Sequence, residues 1–61
     1  MSKKDYEAVA AVLKLTRDQA IEDGEPAVAQ GVYEAALVVM GVFAVDNPRF
    51  DRERFMKAVT G

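Results

Sequence analysis

Apolar residues in the first third of the chain recur at intervals of three and four residues. This spacing places them on one side of an α-helix, and the residues concerned are Tyr6, Val9, Ala10, Leu13, Ala20 and Ile21. Ser2 and Asp5 have the spacing of a capping box, in which a carboxylate reaches back to the backbone before the helix. We therefore predict a first helix over residues 3–23, with Leu15 on the side opposite the apolar face.

The segment Asp23-Gly24-Glu25-Pro26 predicts the end of this helix and the start of another. Glycine readily takes the left-handed conformation that ends a helix, and proline suits the first helical turn. A connection this short favours two antiparallel helices. We predict the second helix over residues 26–45. Because valines recur in it, a strand over residues 37–45 is an alternative, but the run is continuous with the alanine-rich segment 27–36, which favours a helix.

A third, short helix is predicted over residues 52–59. Asn47-Pro48 interrupts the second helix, and Asp51 is the expected N-cap. Phe50 and Phe55 then have the spacing of a hydrophobic staple, which packs the residue before the cap against the first turn. The chain is therefore expected to be all-α, a single domain over residues 1–61 built as a small helical bundle.

Composition excludes several kinds of chemistry. The 61 residues include no cysteine and no histidine, which excludes disulfides, Cys/His zinc sites and the usual nucleophilic triads. The acidic run Asp18, Glu22, Asp23 and Glu25 lacks the spacing of a calcium loop and is interpreted as a solvated helix end. We expect no catalytic residues, no cofactor and no metal, and the lack of cysteine is compatible with a cytoplasmic location.

The C-terminal segment is locally basic. One interpretation is contact with an anionic partner, including nucleic acid, through Arg49, Arg52, Arg54 and Lys57. The other is structural: Asp51 and Glu53 neutralise the segment, with Glu53 and Lys57 paired one turn apart. The formal net charge of −2 disfavours nucleic acid.

The second helix is apolar on nearly all sides, more than a domain of this size can bury. One face contains Val28, Val32, Ala35, Ala36, Val39, Val42 and Phe43. A second stripe remains, which consists of Tyr33, Leu37, Met40 and Ala44. Together with Leu15 of the first helix, it predicts a homodimer interface or a surface for another protein. Membrane insertion is an alternative, which Gln30 and Glu34 disfavour.

Both ends of the chain resemble small, uncharacterised proteins of bacteriophages and prophages, especially those of actinobacteria. The matching residues are Lys3-Lys4-Asp5-Tyr6, the segment Asn47-Pro48-Arg49-Phe50-Asp51-Arg52-Glu53-Arg54-Phe55 and the final Gly61. The resemblance implies a phage or mobile-element origin and no mechanism. It further implies the cytoplasm of a bacterial host as the location and a host or phage protein as an alternative partner. The combined expectation is a non-enzymatic helical interaction module.

Overall fold

A computed structural model describes residues 1–61 and contains three helices and no strand. The helices are α1 (Lys3–Glu22), α2 (Pro26–Asp46) and α3 (Arg52–Thr60). Each begins at its predicted residue and ends within one residue of its predicted end, so the all-α prediction is confirmed. The strand alternative for residues 37–45 is wrong, because the helical hydrogen bonding of α2 continues through them.

Local signals set the helix ends. The Asp5 carboxylate accepts hydrogen bonds from the backbone N–H of Ser2 at 2.8 Å and from its hydroxyl at 3.2 Å, which holds the pKa of Asp5 below its usual value. Gly24 has a φ of +71°. There the N–H groups of Gly24 and Glu25 donate to the carbonyls of Ile21 and Ala20, and this pair of bonds is a Schellman motif.

The start of α3 follows the predicted cap and staple. The Asp51 carboxylate accepts from the backbone N–H of Arg54 at 3.0 Å. The rings of Phe50 and Phe55 lie 5.5 Å apart between centroids. The cap satisfies a backbone donor that the helix leaves unpaired, and the staple fixes the angle at which the chain enters α3.

All three helices contribute to one core, which is centred on aromatic rings. Phe43 of α2 lies 4.8 Å from Tyr6 of α1 and 5.7 Å from Phe55 of α3 between ring centroids. Beyond the rings, the core is completed by the small buried residues Ala10 and Ala36 and by Val59. Alanines at these positions let the long helices approach closely, so the bulk of the core comes from the rings.

Two predicted features of the packing need correction. Ile21 was expected on the packed face of α1 but is 53% exposed. The chain ends beside Lys14, where a Cβ at Gly61 would lie 3.3 Å from the lysine side chain. In the last turn of α1, Ala20 is buried and the neighbouring Ile21 is not. The predicted Glu53–Lys57 ion pair is also absent, and the i,i+4 ion pair that forms joins Lys14 to Asp18 on α1.

Candidate interaction surface

The packed side of α2 is centred on three residues spaced seven apart. Ala29, Ala36 and Phe43 are buried, and Val39 and Met40 pack beside them against the core. Residues seven apart in an α-helix lie almost on one line. This line therefore marks the side of α2 that faces the other helices.

The packed face of α2 is rotated about the helix axis relative to the face predicted from the sequence. Val28, Ala35 and Val42 were expected on it, but all three are exposed. Met40 was expected on the free stripe, but it packs against the core cluster that includes Phe55 and Val59 of α3. On a helical wheel Met40 is about 40° from the buried Ala36, whereas Val28, Ala35 and Val42 are about 80–120° from it, beyond the side that α1 and α3 cover.

The other residues of the predicted interface differ in their accessibility. Tyr33 and Ala44 are half-buried. Leu37 is 39% exposed and Leu15 is 70% exposed. Of the five predicted residues, Leu15 on α1 is therefore the most open to a partner, and the predicted stripe on α2 is not its most exposed apolar surface.

The most exposed apolar surface of α2 is a row that we call the valine face. It comprises Val28, Gly31, Ala35, Val38, Val42 and Val45, all of which are exposed. Val38 is 70% exposed and Val45 is 87% exposed. No charged or polar side chain belongs to the row, so its whole length offers apolar surface to water.

The positions of the valine face alternate in steps of three and four residues. This is the spacing of the seam of a coiled coil, which keeps one apolar line facing a partner helix. The same spacing was available in the sequence. It was missed because α2 is apolar on both flanks, and the interpretation placed Val38 and Val45 in neither stripe.

α1 extends this surface. Leu15 and Thr16 of α1 line a shallow depression together with Val28 of α2, so the valine face and the exposed side of α1 adjoin. Val12 lies one turn before Leu15 and is also exposed. On a helical wheel Val12 is about 160° from Lys14, whose side chain lies beside the end of α3. The apolar surface thus lies on the side of the α1–α2 pair away from α3.

Two of the four predicted anion-binding residues line one groove. Arg49 and Arg54 line a groove between α1 and α3, together with Lys3. Glu7 and Asp51 line the same groove and offset its positive charge. Arg52 and Lys57 do not line this groove, so the groove contains two of the four predicted basic residues.

No chemistry-bearing cluster accompanies these surfaces. No group of three acidic side chains lies close enough to hold a metal ion. The hydroxyl of Tyr6 is buried without a hydrogen-bond partner. α2 is long and apolar enough to cross a membrane, with a mean hydropathy of 1.8 over its best window and few of its residues buried.

No protein-family model, characterised protein or solved structure matches this chain. The functional interpretation therefore depends on the geometry of its own surfaces.

Proposed function

We propose that this protein is a non-enzymatic interaction module that forms a homodimer through the valine face of α2. The observation that carries the proposal is the row of exposed apolar residues with coiled-coil spacing on a helix of 21 residues. Isolated exposed valines are ordinary on a protein surface, but a continuous apolar row marks a contact site. A second copy supplies an apolar row of equal length.

Within the subunit we propose that α1 and α2 run antiparallel. The contact of Tyr6, near the start of α1, with Phe43, near the end of α2, supports this arrangement. The three-residue connection between the helices supports it as well. In this arrangement the valine face runs along the whole long edge of the subunit.

The size of the surface favours a partner that also touches α1. A helix is about 10 Å wide and the valine face is about 26 Å long, so the face has an area of about 260 Å². This area is less than the roughly 800 Å² that each partner contributes to a standard interface. Val12 and Leu15 widen the surface on the same side of the molecule. A dimer that uses both helices buries them in a four-helix arrangement.

Two neighbouring substitutions test the proposal. Val38→Glu places a carboxylate in the middle of the valine face, where burial in an interface costs several kcal/mol. We expect association to weaken at least a hundredfold, measured by sedimentation equilibrium, with helix content retained in circular dichroism. Leu37→Glu is the matched control, since it adds the same charge to the next residue, outside the valine face.

The two variants also separate the valine face from the stripe predicted from sequence. A wild-type dimer that Val38→Glu dissociates and Leu37→Glu leaves intact supports the proposal. The reverse result assigns the interface to Leu37, and a wild-type monomer at micromolar to millimolar concentration removes the homodimer altogether.

Membrane insertion is the alternative explanation for the same apolar surface. A spanning α2 would have to leave its packing against Tyr6 and Ala10 of α1 and would carry Gln30 and Glu34 into the lipid, which is costly. We therefore favour the homodimer over membrane insertion. We further propose that it acts in the cytoplasm of a bacterial host and has a phage or mobile-element origin, because residues 47–55 resemble a segment of small phage proteins. Flotation of the purified protein with liposomes would contradict the choice.

A further inference from the structure

The valine face is not uniform along its length. Its first half contains Val28, Gly31 and Ala35, whereas its second half contains only valines, at positions 38, 42 and 45. Nothing from the subunit itself lies within 4 Å of the position that a Cβ would occupy at Gly31. The first half is therefore a shallow depression along the helix, and the second half is a ridge.

From this asymmetry we infer that two copies pair with their α2 helices antiparallel, around a two-fold axis that passes between residues 36 and 37. The inference rests on the homodimer proposed above and adds its orientation and register. It places Val28 opposite Val45 of the second copy, Gly31 opposite Val42 and Ala35 opposite Val38. Each layer of the interface then contains at least one valine.

A parallel pair would pack less well. It would place Gly31 against Gly31 and Ala35 against Ala35, with three consecutive layers of paired valines after them. Rigid helices held apart by the valine layers would leave voids at the glycine and alanine layers. Voids in a packed interface are destabilising. Helices that approached closely at Gly31 would cross steeply and leave the valines at the other end uncovered.

Charge favours the same orientation. Residues 18–25, at the turn between α1 and α2, include four carboxylates and no basic side chain. Asp23 and Glu25 of this group line the depression that also contains Val28. A parallel pair would bring two such acidic ends together, whereas an antiparallel pair places each beside the opposite end of the other copy. That end carries Lys3 and Lys4 and is close to neutral.

Single cysteines at the two ends of the valine face test the orientation, because the chain has no cysteine of its own. We expect oxidised Val45→Cys and Val28→Cys each to remain uncrosslinked when alone, and an equimolar mixture to form a disulfide-linked heterodimer. Copies of position 45 in the antiparallel pair are about 25 Å apart at 1.5 Å per residue, whereas a disulfide needs Cα atoms within about 7 Å. The mixture with Val38→Glu added to both chains is the control for random collision and should lose the crosslink.

The outcomes separate this inference from the homodimer on which it rests. Crosslinks of Val28→Cys and of Val45→Cys with themselves, and none between the two, would establish a parallel dimer and overturn the orientation alone. A dimer in sedimentation with no crosslink in any sample would place the interface elsewhere and overturn the inference. A monomer in sedimentation would remove both.

Discussion

Replacement of Phe43 by alanine tests whether the aromatic cluster holds the three helices together. Phe43 is buried, and its ring lies within 6 Å of the rings of Tyr6, Phe50 and Phe55 between centroids. Burial of a phenylalanine contributes up to about 3 kcal/mol, and aromatic pairs add roughly 0.5–1.5 kcal/mol each. We expect Phe43→Ala to cost about 4–5 kcal/mol, at the upper end of the range for such changes.

This loss is large relative to the total stability of the protein. A chain of 61 residues has an unfolding free energy of about 3–9 kcal/mol by the usual value per residue. The variant should therefore retain at most about 5 kcal/mol, and a wild-type stability in the lower half of the range would leave it largely unfolded at 25 °C. Urea titration followed by circular dichroism measures the effect, and a Val38→Glu background keeps the proposed dimer from contributing to stability.

The matched control is Phe43→Leu, which keeps most of the volume and removes the ring. We expect it to cost about 1.5 kcal/mol, because volume-conserving changes in cores are tolerated best. A cost below about 1 kcal/mol for Phe43→Ala would show that the ring is not the centre of the core. Equal costs for alanine and leucine would show that ring geometry, and not buried volume, is what the site requires.

Three further substitutions test single contacts. Tyr6→Phe removes a buried hydroxyl without a partner, so the urea midpoint should stay equal or rise, and a loss above about 1 kcal/mol would reveal a hydrogen bond in solution. Asp51→Ala removes the cap on the Arg54 N–H and should cost about 1 kcal/mol, with faster hydrogen exchange at Arg54; unchanged protection would place the cap elsewhere. The bonds from Ser2 lower the pKa of Asp5, so its carboxylate stabilises the fold above the unfolded pKa of about 3.9, and this contribution is lost as pH falls through the lower folded pKa. Asp5→Asn should therefore lower the Tm at pH 7, and the difference should disappear at strongly acidic pH; a constant difference would contradict this assignment.

The helices and their ends could be predicted from the sequence, because the signals for them are local. The capping box at Ser2, the left-handed glycine at position 24 and the cap at Asp51 each act within a few residues. Each satisfies backbone groups that a helix end leaves unpaired, whatever surrounds the helix. The staple between Phe50 and Phe55 is equally local, so it too could be predicted without tertiary structure.

The packed side of α2, in contrast, could not be predicted from the sequence, because it depends on contacts with the other helices. Periodicity identifies a buried face when polar residues mark the opposite side, and α2 has only Gln30 and Glu34 for that purpose before its last residue. Several rotations of the helix would therefore bury a similar amount of apolar surface. Packing against α1 and α3 selects one of them, in which Ala36 and Phe43 are buried and Val38 is exposed.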